Sequence, residues 1–233
     1  YIEISDSSDY NFERTNSFTI EAWIKTSSSN LFQEIVGKMN NASPYRGYDI
    51  SVYDGKIHFY LINTYDTNCI ILYGQTSIND GNWHHIVATY DGSSSASGAK
   101  VYIDGKRESV SVSKNSLSAT IQHSDPVTIG TRNHQDSSYF DGSIDEVRIS
   151  NTARSADDIR QTYEAGRRTH PIVVDFKADL QSSNLITSTS DKSFTISEQD
   201  YGSTDHIENI DVGETIVIKE NIGGSDYIIS GEI

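Results

Sequence analysis

The 233-residue sequence predicts an all-β protein: antiparallel strands in a sandwich or barrel, one short helix, and a further small β-rich segment. Three observations lead there. Apolar residues recur with period 2 in several short runs, of which FTIEAWIKT (18–26) is the clearest. Asp-Gly pairs at Asp54-Gly55 and Asp104-Gly105 lie inside such runs. A two-residue Asp-Gly link is the strongest short-range hairpin signal, and it is too short for a crossover helix. Turn signals then recur at regular spacing between short strands, as they do in sandwiches and barrels.

The elements follow in chain order. In FTIEAWIKT the alternation places Phe18, Ile20, Ala22 and Ile24 on one face and Thr19, Glu21, Trp23 and Lys25 on the other. YDISVYDGKIHFYLI (48–62) reads as two strands joined at Asp54-Gly55, and VYIDGKR (101–107) as another pair turning at Asp104-Gly105. WHHIVATYDG (83–92), VTIGTR (127–132) and SIDEVRIS (143–150) supply further strands. The helix is SADDIRQTYEAG (155–166): Ser155 is a good N-cap, and Asp157 and Asp158 suit the positive end of the helix dipole. Ile159 and Tyr163, four residues apart, form a small apolar stripe, and Gly166 is expected to stop the helix. So short a helix needs a larger surface to dock on. It is expected to end a first domain at residue 166, with residues 169–233 forming a second unit or the start of the next module. In that part VVDFKADL (173–180), SFTISEQ (193–199), ETIVIKE (214–220) and SDYIISGEI (225–233) read as strands.

Composition narrows the function classes. Hydrophobic residues make up 35%, and 14 Tyr, 7 Phe and 2 Trp supply large side chains for a core. The net charge of −15 would be repelled by a nucleic-acid backbone or an anionic membrane, so neither is an expected partner. An acidic surface suits divalent cations or neutral ligands such as glycans. No apolar run is long enough to cross a bilayer, so no membrane insertion is expected. The single Cys69 has no internal partner and does not identify a redox compartment. The chain starts inside an apparent strand and ends just after another, which suggests part of a larger multidomain protein.

Three segments, in order, carry a family resemblance: SFTIEAWIKT, then WHHIVATYDG with VYIDGK, then FDGSIDEVRISNTARSADDI. Over about residues 1–166 the chain resembles the laminin-G-like, concanavalin A-like lectin and glucanase superfamily. The resemblance implies a jelly-roll β-sandwich of two antiparallel sheets, of the kind appended to secreted enzymes, adhesins and cell-surface proteins. One fold hosts lectins, hydrolases and plain spacers, so function must be argued from the site.

Catalysis is tested first. Glucanases of the superfamily resemble one another in a Glu-x-Asp-x-Glu strand that sets two carboxylates on one sheet face. No segment here matches it. Asp145 and Glu146 are adjacent, so alternation puts them on opposite faces, and Glu21, Glu34 and Glu108 read as isolated. The adjacent His84 and His85 should likewise diverge, one packing with Trp83 under a loop and the other exposed. A non-enzyme is expected.

The resemblance also implies a structural calcium held by a carboxylate of the closing strand. Asp145 takes that place, with Asp6 from the early DSSD run as a second oxygen donor. A glycan site needs aromatic faces together with amides and guanidinium groups. Two clusters qualify: Arg46, Tyr48, His58, Tyr60, Asn63 and Tyr65 around the first hairpin, and Arg132, Asn133, His134 and Tyr139 in the loop before the closing strand. The expected protein is therefore a non-catalytic binding or adhesion module, secreted or on a cell surface. Its expected partner is a glycan or an extracellular protein; the alternative is a ligand-free structural spacer.

Overall fold

The computed structural model describes residues 1–40, 42–132, 138–167 and 170, and the strand backbones of 215–222 and 225–232. The chain divides into two units, Tyr1–His170 and Pro171–Ile233.

The first unit is built on β2 (Phe18–Lys25). Its inward side chains, Phe18, Ile20, Ala22 and Ile24, are those that the alternation selects, and all four are buried in the main apolar core. β2 pairs on one side with β7 (Trp83–Tyr90) and on the other with β12 (Ser143–Ser150). β8 (Ala99–Ile103) and the short β9 (Lys106–Arg107) extend this sheet, giving the order β12-β2-β7-β8-β9. The facing sheet has seven strands in the order β1-β11-β3-β4-β5-β6-β10. They are β1 (Ile2–Ile4), β3 (Phe32–Met39), β4 (Gly47–Tyr53), β5 (Lys56–Thr64), β6 (Asn68–Ser77), β10 (Val110–Asn115) and β11 (Val127–Ile129). Every pairing is antiparallel. Ile50, Val52, Ile57, Phe59, Leu61 and Leu72 of this sheet meet the β2 face in a single core, which makes the architecture a sandwich.

Both Asp-Gly links form the expected hairpins. Asp54 and Gly55, and again Asp104 and Gly105, have positive φ at both central positions, the backbone that matches the twist of the flanking strands. Asp104 adds a second tie: its Oδ2 lies 2.8 Å from His84 Nδ1, and its Oδ1 accepts from His85 N–H at 2.9 Å.

The helix α1 (Ala156–Gly166) starts as expected, with a reciprocal capping box between Ser155 and Asp158. It docks on the outer face of the smaller sheet, where Ile159 packs with Val87 and Tyr102. Its end has a different cause from the one expected. Gly166 is the last helical residue rather than a left-handed stop, and a Cβ there would lie 2.6 Å from Trp23 Nε1. Glycine is needed because helix and indole approach so closely.

Two expectations about side-chain direction are corrected. Pairing of β12 with β2 skips between Asp145 and Arg148, and Glu146 has φ of 47°. This bulge inserts an extra residue, so Asp145 and Glu146 are both exposed while Ile144 and Val147 turn inward. The histidine pair does diverge, but His85 is buried beneath the helix rather than a loop, its ring 6.3 Å from Tyr163, and His84 is half-buried rather than exposed.

His84 lies between two carboxylates, with Nε2 3.1 Å from Asp80 Oδ1 in addition to the Asp104 contact. Burial disfavours its charged form, but the hydrogen bonds to Asp104 and Asp80 outweigh that and raise its pKa from 6.5 to about 9. The resulting stabilisation is complete below pH 6.5 and is lost as pH rises through about 9. His84→Gln is expected to cost about 1–2 kcal/mol at pH 6, allowing for screening of half-exposed Asp80, and much less at pH 9.5. Melting temperatures of both proteins across this range test it; parallel curves would show that His84 carries no charge-linked stability.

In the second unit, β13 (Thr215–Ile222) and β14 (Ser225–Glu232) form an antiparallel pair, with Ile222 opposite Ser225. The strands expected at 173–180 and 193–199 lie outside the described residues.

Candidate functional site

Alternation in the larger sheet turns one set of residues into the core and the other onto the outer face. On β4 the core takes Tyr48, Ile50 and Val52, so the outer face takes Asp49, Ser51 and Tyr53. On β5 the core takes Ile57, Phe59 and Leu61, so the outer face takes His58, Tyr60 and Ile62. This outer face carries the only dense combination of aromatic, cationic and acidic side chains on the larger sheet among the described residues.

Its polar part centres on Arg132. The guanidinium donates from Nε to Glu34 Oε2 at 2.9 Å and from Nη2 to Asp49 Oδ2, and it lies 4.3 Å from the centre of the Phe32 ring. Glu34 and Asp49 are both 0% exposed. Burial raises the Glu34 pKa well above the usual carboxylate range, and the neighbouring Asp49 charge adds to the rise; burial also raises Asp49. Gly37 makes this packing possible, because a Cβ there would stand 2.4 Å from Asp49 Cβ and 2.9 Å from Glu34 Oε1. Glu34 is therefore not isolated. Nor are the other two acids that read so: Glu21 pairs with Arg148 and Arg154, and Glu108 accepts from the Gln75 and Thr76 backbones.

Aromatic rings flank this cluster. His58 stacks between Tyr73, at 4.1 Å between ring centres, and Tyr53, at 5.2 Å. Its Nδ1 lies 3.0 Å from Tyr60 Oη. Burial, helped by the Lys56 charge, lowers the His58 pKa to about 4, so the ring is neutral at physiological pH. Beyond Tyr60, an apolar patch of Met39, Ile62, Cys69 and Ile71 leads to Tyr45, whose ring meets Tyr65 edge-on at 6.1 Å. Tyr53 and Tyr65 present the most ring surface, at 38% and 49% exposed.

The expected ligand residues divide accordingly. His58, Tyr60 and Arg132 meet on this face, and Tyr65 stands at its end. Tyr48 does not belong to it: the strand register turns it into the core, where its hydroxyl donates to Tyr10 O at 2.7 Å. Asn63 spends its amide on Thr120 O at 2.6 Å. Arg46 is half-buried in the turn before β4, with a buried Nε that has no hydrogen-bond partner. Tyr139 is exposed and faces Tyr1 at 6.1 Å. Asn133 and His134 lie outside the described residues. Asp49, Tyr53, Glu34 and Tyr73 were missed. The first two sit on the period-2 face shared by His58 and Tyr60, a signal that was present; nothing in the sequence singles out Glu34 or Tyr73.

The expected calcium donors do not fit a shared ion. Asp6 follows β1 of the larger sheet and pairs at 2.8 Å with Lys38 Nζ, an ammonium that also donates to His123 O and Asp125 O. Asp145 belongs to the smaller sheet, where Oδ1 accepts from Glu146 N–H and Oδ2 lies 3.4 Å from His170 Nε2. The two share no partner, and no group of three His, Cys, Asp or Glu placed to hold a metal exists among the described residues. A depression of about 380 Å³ between β12 and α1 is lined by Glu146, Arg148, Arg154 and Asp158, but Glu21 and the helix already occupy its cations.

Two antiparallel sheets over one apolar core, with a polar-aromatic outer face, define a sandwich of the lectin-like kind. Residues 1–160 match the laminin G-type family described as the concanavalin A-like lectin/glucanases superfamily, and the chain belongs to it. Solved structures agree on the fold. The botulinum neurotoxin serotype G binding domain is 19% identical with a TM-score of 0.54, over 71% of this chain and 40% of that one. The binding domain of Paraclostridial Mosquitocidal Protein 1 is 16% identical with a TM-score of 0.53, over 70% and 40%. The chain therefore spans well under half of either toxin domain. The CBM40 domain of a Ruminococcus gnavus IT-sialidase, bound to α2,3-sialyllactose, is 19% identical with a TM-score of 0.53, over 70% of this chain and 95% of that one. A search of curated proteins returns no match.

Proposed function

We propose that this chain is a non-catalytic carbohydrate-binding module of a secreted or cell-surface multidomain protein, and that its glycan lies on the outer face of the larger sheet. The observation that carries this reading is the row of rings there, with exposed Tyr53 and Tyr65 at its two ends and His58 and Tyr73 between. Sugar C–H faces stack on such rings, while neutral hydrogen-bonding groups fix the hydroxyls. A sandwich of the same fold binds sialyllactose in the CBM40 complex, which supports the ligand class. The buried carboxyls argue for binding over hydrolysis, because Glu34 and Asp49 are fully enclosed and both held by Arg132. A glycosidase needs its two carboxyls open to substrate and water. Among the described residues no helix is long and apolar enough to cross a membrane.

A glycan array probed with the purified chain tests this directly. Binding to a defined group of glycans is expected, and Tyr53→Ala or Tyr65→Ala should weaken it about tenfold, roughly 1.4 kcal/mol, without lowering the melting temperature. Binding that survives both substitutions would place the site elsewhere. No binding to any glycan would favour the structural spacer.

A further inference from the structure

Resting on the carbohydrate reading, we propose that the outer-face site selects neutral glycans and discriminates against sialylated or otherwise anionic ones. The argument starts from charge at the site. A site for anionic sugars needs a cation whose charge is not already neutralised. Arg132 is the guanidinium on this face, and it is matched by two carboxyls, Glu34 through Nε at 2.9 Å and Asp49 through Nη2. Two carboxyls against one guanidinium leave the cluster neutral when one carboxyl keeps its proton and negative when neither does. Burial raises both pKa values while the Arg132 charge opposes the rise, so the guanidinium keeps a carboxylate counter-charge. In neither form does an incoming carboxylate meet net positive charge, and stripping its water would go uncompensated.

The lysines nearby do not alter this. Lys38 is buried and enclosed by Asp6 and two backbone carbonyls, and Lys114 is paired with Asp66. Lys56, at the start of β5, is the remaining lysine beside the rings; a single half-exposed ammonium is a weak, screened attractor in a chain of net charge −15. Arg46, in the turn beyond Tyr45, has no carboxylate partner among the described residues, so the discrimination is assigned to the part of the face around His58 and Arg132.

His58 supplies the complementary half. Its ring is 7% exposed and clamped between Tyr53 and Tyr73, with Nδ1 engaged by Tyr60 Oη. No partner for Nε2 is found among the described residues. A neutral imidazole nitrogen framed by two rings suits a sugar hydroxyl, which can donate to it or accept from it. It offers a carboxylate at most one uncharged donor.

The test uses the whole chain on an array in which each neutral oligosaccharide is printed beside its α2,3- and α2,6-sialylated forms. Neutral members should bind, and sialylation of a bound glycan should weaken it at least tenfold. For the best neutral oligosaccharide, raising NaCl from 50 to 500 mM should change affinity less than twofold, and His58→Phe, measured well below its own melting temperature, should weaken it about tenfold. Sialylated members bound as tightly as their neutral partners, or affinity that falls steeply with salt, would overturn the inference while leaving the carbohydrate reading intact. An array with no binding at all would overturn both.

Discussion

Arg132→Ala is expected to destabilise the Tyr1–His170 unit by about 3–5 kcal/mol, because it leaves two fully buried carboxyls without their cation. For a unit of this size that corresponds to a melting temperature roughly 10 °C lower. The loss carries a pH signature. Without the guanidinium, Glu34 and Asp49 are pushed further above the usual carboxylate range, and folding then requires them to hold protons that the unfolded chain releases. A raised folded-state pKa favours folding at low pH and is lost as pH rises, so the deficit against wild type should widen from pH 4 to pH 8. Arg132→Lys should recover only part of it, since an ammonium cannot reproduce the forked contact. Melting curves at several pH values decide the matter. A shift below about 3 °C, or one independent of pH, would show that Arg132 does not hold the cluster together. Because the residue is structural, loss of glycan binding in Arg132→Ala does not by itself make it a sugar ligand.

The sandwich was legible because its inner strands obey a simple rule: one face apolar, with a tight Asp-Gly turn between neighbours. β2 and the β4–β5 hairpin follow that rule closely. β3 breaks it. Gln33, Glu34 and Lys38 are all buried, and the register shifts between Glu34 and Val36, so FQEIVGKM reads as a polar segment although it lies inside the sheet. β12 breaks it too, through the bulge that brings Asp145 and Glu146 onto one side.

The candidate site was half legible for a related reason. Hairpin residues that share a face can be paired by counting in twos, and His58 with Tyr60 emerges that way. Counting correctly also removes Tyr48, which is one step out of phase with Asp49 and Tyr53. What counting cannot supply is contact between strands far apart in sequence. Glu34, Asp49 and Arg132 lie up to 98 residues apart and meet only because β3 and β4 are neighbours and the chain after β11 returns across them. Lys38 and Asp6 pose the same problem: a carboxylate that resembles a metal donor in sequence is already matched by a lysine from another strand.

Trp23→Ala is expected to cost about 3–5 kcal/mol, although Trp23 lies outside the main core. It faces away from the core on β2, yet it is only 2% exposed, because α1 and His170 cover it. His170 stacks on the indole at 4.4 Å and 6°, Tyr163 stacks at 5.7 Å, and Gly166 closes the contact from the helix side. An eleven-residue helix is marginal by itself, so most of its stability comes from this surface. Truncation opens a cavity under the helix, where Ile159, the Tyr163–His85 ring contact and the Arg154–Glu21 ion pair still hold it. The specific expectation is uneven. By hydrogen exchange, amides of residues 160–166 should lose protection in Trp23→Ala while those of β4 and β5 keep most of theirs. Gly166→Ala approaches the same contact from the other side. Its added methyl meets rigid indole atoms at under 3 Å, which should cost about 1–3 kcal/mol with the same local loss of protection. If Trp23→Ala costs less than about 1 kcal/mol and the helix amides stay protected, α1 is held by its cap and ion pair and the indole is not its platform.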